Sequence, residues 1–336
     1  HIGDLDNYDT YIRYRKTIED FLRLYSLHPD TLVSDLHPGY NSVRHLNKIA
    51  NSLPPELKPR IIRVQHHHAH IASVMAEYQL DEEVIGVSMD GTGYGTDGKI
   101  WGSEFMVCSL SGFSRMYHIE YLKLPGGELA IKEPWRIALA CLYDTFGEKC
   151  LDKHRLSIER TLQITVLKSI RSRLNIAESC GMGRLFDAVA SLLNVCHYSG
   201  YDGEGPVMLE ELINKESPHR YNYSLENSEF RINEIISGIV EDASRKTEPS
   251  EISSRFHNTI VSMIVDGITR ISSQTKLKKV VLSGGTFQNR YLTEHTAGIL
   301  EKKGYSVYLN RKVPANDGGL ALGQIAIAMK RRALNI

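Results

Sequence analysis

Four histidines fall within five consecutive positions of the chain, and an apolar strand pattern at 61–64 leads directly into them. In a helix that begins here, His66 and His70 lie on one face with their Cβ atoms about 5–6 Å apart, so both imidazoles can bind one metal ion. His67 and His70 are the alternative pair. The positive end of the helix dipole keeps the rings neutral, which is the form that binds metals. The competing interpretation is a capped helix start with solvated histidines.

Two aspartates are candidates for the oxygen ligands that a pair of histidines would need. Asp90 ends a strand pattern that follows the histidine helix, and an α/β layout would place it at the same edge of the sheet. Asp317 precedes the last predicted helix, where an aspartate often serves only as an N-cap. A mixed histidine and aspartate site suits iron, zinc or manganese better than calcium. The residue types do not choose among these three ions.

Three glycine-rich turns occupy positions at which proteins commonly hold phosphate groups. Each follows a strand or opens a helix, so its backbone amides can point into a crevice without a Cβ in the way. None matches the loop of the P-loop enzymes or the glycine fingerprint of the dinucleotide-binding enzymes. Together they favour a two-lobed clamp around a nucleotide. The turns comprise residues 90–95, 283–286 and 317–319.

Other polar residues have both a functional and a structural interpretation. Lys132 and Arg136 lie at a predicted helix start, where they would neutralise a phosphate, bind a carbonyl oxygen or remain solvated. Asp187 begins another helix and would accept from ribose hydroxyls or only complement the helix dipole. Cys180 precedes that helix, but no base lies at a readable spacing to activate its thiol. The basic run at 330–332 ends a helix and needs no nucleic acid to explain it.

Hydrophobic periodicity predicts the elements that would position these residues. The strand patterns lie at 31–35, 61–64, 84–89, 105–107, 280–282 and 305–309. The helical patterns lie at 8–27, 40–51, 68–80, 134–147, 155–174, 184–196, 288–303 and 317–331. This alternation is typical of a crossover α/β fold, which places a ligand crevice at the carboxyl ends of the strands.

Composition limits the class of protein. The 336 residues are 42% apolar and 24% charged, which is globular, and the length favours two domains. Forty basic and forty acidic residues give a net charge of zero, so neither a nucleic acid nor an anionic membrane is an expected partner. No stretch approaches the roughly 18 apolar residues of a membrane span. The five cysteines include no CxxC pair, which fits the cytoplasm and makes a cysteine zinc site improbable. Because the chain opens at His1 rather than Met, we expect it to be a fragment of a longer protein.

Six segments, in the same order through nearly the whole chain, resemble the C-terminal transferase domain of the HypF family of hydrogenase-maturation carbamoyltransferases. They are QHHHAHIASVMAE, DGTGYGTDGKIWGSEF, PGGELAIKEPWR, GRLFDAVASLL, LSGGTFQNRYL and PANDGGLALGQ. That domain is similar to the universal threonylcarbamoyl-adenosine tRNA transferases, and both have the two-lobed actin, sugar-kinase and Hsp70-type ATPase fold. The resemblance therefore implies an α/β fold with a nucleotide and metal cleft between lobes. We expect an N-terminal lobe with the histidine helix at 1–125, a C-terminal lobe with the nucleotide site at 126–313, and a closing helix at 314–336.

The same resemblance implies roles for individual residues. It implies one divalent ion, which would be iron, zinc, magnesium or manganese, and its implied ligands are His66, His70, Asp90 and Asp317. The implied nucleotide contacts are Asp187, Gly205, Glu210, Gly284, Gly285 and Asn289. Lys132 and Arg136 are expected to act catalytically.

The activity implied by the resemblance is the transfer of carbamoyl from carbamoyl-adenylate to the C-terminal cysteine thiol of the partner HypE. AMP, derived from ATP, would leave, and the product would serve the cyanide ligands of the NiFe centre. The adenylate would come from an upstream domain of the same full-length protein. Two alternatives remain. A small-molecule kinase of the same fold would release ADP. A non-enzymatic nucleotide-binding module would be favoured if bound metal is absent and mutation of the histidines changes nothing.

Overall fold

The computed structural model describes residues 2–213 and 217–336. Residues up to 125 form α1 (Tyr8–Leu24), β1 (Thr31–Asp35), α2 (Asn41–Ser52), β2 (Arg60–Val64), α3 (His66–Glu77), β3 (Val84–Tyr94), β4 (Ile100–Cys108), β5 (Phe113–Ile119) and β6 (Leu122–Pro125). The next elements are α4 (Glu128–Lys132), α5 (Trp135–Phe146), α6 (Cys150–Lys153), α7 (Arg160–Ser172), β7 (Ile176–Ser179), α8 (Met182–Leu192) and α9 (Glu204–Glu211). The last are β8 (Ser224–Glu226), β9 (Glu229–Arg231), α10 (Asn233–Ser244), α11 (Pro249–Thr275), β10 (Lys279–Ser283), α12 (Arg290–Lys302), β11 (Ser306–Leu309) and α13 (Leu320–Ala333).

A mixed sheet of nine strands runs through the described part of the chain. Its strands follow the order β11, β10, β3, β4, β5, β9, β8, while β7 pairs with both β4 and β6. β3 lies parallel to β10 and antiparallel to β4. Strands from both sides of the predicted lobe boundary at residue 125 share this sheet, and the division into lobes stays a prediction.

A second, two-stranded sheet sets the position of the histidine helix. β1 and β2 are parallel and in register from the pair Thr31 and Arg60 to the pair Asp35 and Val64. Because the carboxyl ends of parallel strands meet at one edge, the last residue of β1 lies beside the segment that enters α3. The helix begins at His66, two residues before the predicted start at 68.

β3 is a buried strand of the large sheet that contacts three helices. Its first six residues are buried, and α3, α8 and α11 all pack against it. This burial explains the nearly continuous apolar run at 84–89, which is typical of a strand covered on both faces. The pairing with β4 shifts register between Met89 and Gly93, so Asp90 falls at an irregularity.

α13 packs closely against α3. A Cβ added at Gly323 would lie 1.8 Å from the backbone oxygen of Ala69, so only glycine permits this approach. The predicted helix at 317–331 is confirmed, although residues 317–319 form a 3₁₀ turn and the α-helix begins at Leu320. Among the described residues, no helix combines the length and the apolarity that crossing a bilayer requires.

Candidate metal and nucleotide site

Four predicted metal ligands come together at one point, and we call them the His/Asp cluster: His66, His70, Asp90 and Asp317. One ligand atom from each lies within 4.8 Å of all the others. Nε2 of His66 and Nε2 of His70 are 3.3 Å apart. Oδ2 of Asp90 is 3.0 Å from Nε2 of His70, and Oδ1 of Asp317 is 3.4 Å from Nε2 of His66. The helix that begins at His66 therefore brings His66 and His70 together, as the spacing predicted.

Three separate elements supply the His/Asp cluster. The histidines lie on the first turns of α3, where the N-cap residue Gln65 accepts from the His68 amide. Asp90 follows the regular part of β3, and its Oδ1 accepts from the amide of Gly91, which leaves Oδ2 directed at the histidines. In the turn before α13, the capping oxygen comes from Asn316, which accepts from the Gly318 amide. The carboxylate of Asp317 is therefore not the cap and is available to the cluster.

Oδ2 of Asp90 is buried and has no hydrogen-bond partner. It lies 3.0 Å from Nε2 of His70, which is close enough for an ion pair when that ring is protonated. Buried carboxylate oxygens almost always have a partner, because desolvation without one is costly. An unpartnered oxygen of this kind is expected where several ligand atoms point at a common centre rather than at each other.

A fifth side chain, which the sequence analysis did not identify, fixes the orientation of His66. Oδ2 of Asp35, at the end of β1, lies 2.9 Å from Nδ1 of His66. A carboxylate accepts, so Nδ1–H donates and Nε2 keeps its lone pair facing His70. The available signal was a polar residue at the end of β1, Asp35, and another directly after β2, Gln65.

The charges of the His/Asp cluster depend on one another. Burial disfavours the protonated imidazoles, but the carboxylates, Asp317 first, outweigh it and raise the pKa of His66 and of His70. Burial also favours protonated carboxyls, yet the imidazoles lower the pKa of both Asp90 and Asp317. Two carboxylates and two imidazoles at these distances require positive charge between them, either as protons or as a cation.

The other two histidines of the motif face elsewhere. Nδ1 of His67 lies 3.0 Å from the side-chain nitrogen of Gln65, and burial lowers the pKa of His67 well below its ordinary value. Nε2 of His68 lies 2.7 Å from the Ser109 carbonyl, and burial lowers its pKa to about 4. His66 and His70, rather than His67 and His70, therefore form the pair that meets the aspartates.

Glycines surround the His/Asp cluster where a side chain would collide with it. A Cβ at Gly93 would lie 2.5 Å from Cε1 of His67 and 2.9 Å from Cδ2 of His66. A Cβ at Gly285 would lie 3.1 Å from Oδ1 of Asp90. Gly284, with φ of 99°, packs on the backbone of β3 at Met89. The glycine-rich turns at 90–95 and 283–286 are therefore adjacent to the cluster, as expected for two walls of one cleft.

The predicted nucleotide contacts on α8 and α9 lie together. The buried carboxylate of Asp187 is 3.0 Å from Nη1 of Arg184, and a Cβ at Gly205 would lie 3.4 Å from Oδ1 of Asp187. Burial raises the pKa of Asp187 to about 6, Arg184 opposes this, and Asp202 adds to it. Asp187 lies in the second turn of α8, which begins at Met182, so it is not the first-turn carboxylate that would only complement the helix dipole.

Two further predicted contacts converge on the start of α12. Oε1 of Glu210 accepts from the Tyr291 amide at 3.1 Å. Oδ1 of Asn289 accepts from the Leu292 amide as the N-cap, and its Nδ2 lies 3.1 Å from Nε2 of the buried His257. Both ends of the Asn289 side chain are engaged within the protein, and its contact with a nucleotide stays a prediction.

Lys132 and Arg136 are not members of the His/Asp cluster. Arg136 forms an ion pair with Glu133 and lies over the ring of Trp135. The carbonyl of Lys132 accepts from the Ser199 amide. Their catalytic role stays a prediction.

Comparisons with known proteins identify the family. Residues 1–77 match the family model described as the HypF Kae1-like domain, and residues 86–324 match the model described as the carbamoyltransferase Kae1-like domain, second subdomain. The carbamoyltransferase HypF of Synechocystis sp. is 33% identical over 353 aligned residues, which cover 99% of this chain and 44% of that protein. A carbamoyltransferase HypF homolog of Cupriavidus necator is 32% identical, over 98% of this chain and 84% of that protein. The chain thus spans less than half of the first relative.

Two solved structures share the fold. Full-length HypF in its phosphate- and nucleotide-bound form matches with a TM-score of 0.90 and 42% identity, over 98% of this chain and 51% of that chain. HypF of T. kodakarensis matches with a TM-score of 0.89 and 30% identity, over 98% of this chain and 44% of that chain. These matches confirm the predicted α/β fold of the Kae1-like ATPase class. The chain therefore belongs to the HypF family, and it corresponds to the Kae1-like domain of these carbamoyltransferases.

Proposed function

We propose that this chain transfers a carbamoyl group from carbamoyl-adenylate to the C-terminal cysteine thiol of a partner protein, HypE, and releases AMP. The observation that carries the proposal is the convergence of two imidazoles and two carboxylates between two glycine-rich turns. Membership of the HypF family supports the reaction class. A relative with the same fold was crystallised with phosphate and a nucleotide bound, which supports a nucleotide in this cleft.

The His/Asp cluster fits one divalent ion. Ligand atoms bound at about 2.0–2.2 Å to a common ion lie roughly 3.0–3.5 Å apart in tetrahedral or octahedral geometry. The closest donor pairs are separated by 3.0, 3.3 and 3.4 Å. Two nitrogen and two oxygen donors suit iron, zinc or manganese better than magnesium, which prefers oxygen ligands. When bound, the ion would stabilise negative charge on a phosphate or carbonyl oxygen.

In the proposed reaction, the thiolate sulfur attacks the carbamoyl carbon and forms a C–S bond. The bond from that carbon to the phosphate oxygen breaks, its electron pair leaves with AMP, and the thiol proton goes to solvent. Asp35 keeps His66 in the tautomer that can bind a metal. We assign the nucleotide to the surface lined by Asp187, Gly205, Glu210, Gly284, Gly285 and Asn289.

The remaining parts of the proposal concern the whole protein. The adenylate-forming domain of the full-length protein would deliver carbamoyl-adenylate to this cleft in the cytoplasm. Lys132 and Arg136 would contribute positive charge near the departing phosphate. No nucleic acid takes part, since the chain carries no net positive charge.

The test supplies the purified chain with pre-formed carbamoyl-adenylate and HypE and follows the carbamoylated cysteine by mass spectrometry. His70→Ala is expected to reduce the transfer rate at least about 100-fold, as is typical when an electrophilic group is lost. Its matched control is His28→Ala, at an exposed position outside the cleft. Near-normal transfer by His70→Ala would refute the proposal.

A further inference from the structure

Arg184 is a buried cation whose hydrogen-bonding capacity is unused. The residue is 7% exposed, and its Nε and Nη1 atoms are buried without a hydrogen-bond partner. Nη1 lies 3.0 Å from Oδ2 of Asp187, but that oxygen also lacks a hydrogen bond. The contact therefore compensates charge without satisfying the donors. An unsatisfied guanidinium in a protein interior is costly, so a site that retains one indicates a missing acceptor.

The guanidinium of Arg184 lies against the turn that carries Asp90. A Cβ at Gly91 would lie 2.6 Å from Nη2 of Arg184, so the cation rests on the residue that directly follows Asp90. Asp90, Gly91 and Gly183 are partly exposed, and Thr92 is exposed. A ligand that enters the cleft can therefore reach this point.

The first turn of α8 adds a second feature that favours an anion. The N-cap residue Gly181 has no side chain to accept from the first amides of the helix. Gly181 and Gly183 also pack against the backbone of Gly91, where any Cβ would come within 3 Å of it. The positive end of the α8 dipole and the guanidinium of Arg184 thus lie beside the same glycine.

We propose that Arg184 and the start of α8 form an oxyanion subsite that binds the phosphoryl group of the adenylate, next to the His/Asp cluster. This inference rests on the proposed function, because it assigns the phosphate of that substrate to a place in the cleft. Asp187 pairs with the guanidinium of Arg184 and holds it in position. As the bond between carbamoyl and phosphate breaks, AMP gains negative charge, which Arg184 stabilises through its free donors.

The test measures the binding of AMP and of adenosine to the metal-loaded chain by calorimetry. The wild-type chain is expected to bind AMP more tightly than adenosine. Arg184→Gln should weaken AMP binding at least tenfold and leave adenosine binding unchanged, and Arg184→Lys should fall between them. The exposed Arg160 provides the matched control, since Arg160→Gln should change neither affinity. Metal content should equal that of the wild type in every variant.

The outcomes separate the subsite from the proposed function. If Arg184→Gln binds AMP as tightly as the wild type, the phosphoryl group is not at Arg184 and the inference is wrong, while the transfer proposal stands. If the wild-type chain binds neither AMP nor adenosine, both are wrong. Should Arg184→Gln fail to fold, Arg184→Lys decides, because it keeps the charge and loses the planar fork of donors. Unchanged AMP affinity in that variant would then overturn the subsite.

Discussion

Asp35 and His66 are 31 positions apart in the sequence, yet Oδ2 of Asp35 lies 2.9 Å from Nδ1 of His66, and both side chains are buried. The in-register pairing of Asp35 with Val64 produces this contact, because it places the last residue of β1 just before the start of α3. The two-stranded sheet at the start of the chain therefore positions the helix that carries His66 and His70.

Asp35→Asn is expected to weaken metal binding about 10–100-fold without removing a ligand, because the neutral amide no longer fixes the tautomer of His66. Metal affinity measured by competition with a chromophoric chelator checks this. Asp30→Asn, in an exposed ion pair just before the same strand, should leave the affinity unchanged. An Asp35→Asn protein with wild-type metal affinity would show that the contact is only structural.

Local sequence was sufficient for the part of the site that depends on helical or strand periodicity. A spacing of four residues predicted the pair His66 and His70, and the end of an apolar run predicted Asp90. Asp317 was identifiable as a candidate ligand. Its carboxylate is available only because Asn316, and not Asp317, accepts the capping hydrogen bond from the Gly318 amide. Only the geometry of the turn decides which of these two adjacent polar residues is the cap and which is left as a ligand.

Through-space contacts were not predictable from the sequence. Asp35 reaches His66 through strand pairing, and Arg184 reaches Gly91 through the packing of α8 on β3. Strand β9 joins the sheet beside β5, from which it is about 110 residues distant in the chain. Such pairings depend on the whole fold rather than on any local pattern, so periodicity carries no signal for them.

Gly323→Ala is expected to destabilise the fold and the His/Asp cluster together. The added Cβ would lie 1.8 Å from the oxygen of Ala69 and 2.7 Å from the nitrogen of Ser73, and both are backbone atoms of α3 that cannot move aside alone. Overpacking of this kind typically costs about 1–3 kcal/mol. The free energy of unfolding from urea titration, with metal content measured in parallel, checks this prediction.

The control for that variant is Gly298→Ala in α12, where no atom lies within 4 Å of the added Cβ. Because alanine favours helix over glycine by about 1 kcal/mol, this variant should be neutral or more stable. Equal effects of the two substitutions would mean that the close approach of α13 to α3 does not limit stability.

The pKa of Asp187 is raised by folding, so its effect on stability changes with pH in the opposite direction to that of a carboxylate whose pKa is lowered by folding. Its pKa is about 6 in the fold, because burial and then Asp202 raise it while Arg184 opposes them, against 3.8 when unfolded. Between pH 4 and 6 the folded state binds more protons, so this group's contribution is full below about 4 and is lost as pH rises through 6. The stability of Asp187→Asn relative to the wild type should therefore rise by roughly 3 kcal/mol between pH 4 and pH 7.5. Urea unfolding at both values measures it, with the exposed Asp152→Asn as a control that should show no such rise.

Cys180 is expected to be unreactive although it lies beside an arginine near the cleft. Its Sγ is 3.2 Å from Oε1 of Glu104 and 3.2 Å from Nη2 of Arg115. Burial, followed by the charge of Glu104, raises the pKa of the thiol well above its ordinary value, and the opposing effect of Arg115 is smaller. A protonated, fully buried thiol is neither a nucleophile nor a target for alkylation. Cys180→Ser, which keeps a donor to Glu104, should therefore retain transfer within a few-fold, and iodoacetamide should modify the residue only after denaturation. A tenfold loss of transfer by Cys180→Ser, with metal content intact, would instead place this sulfur in the reaction.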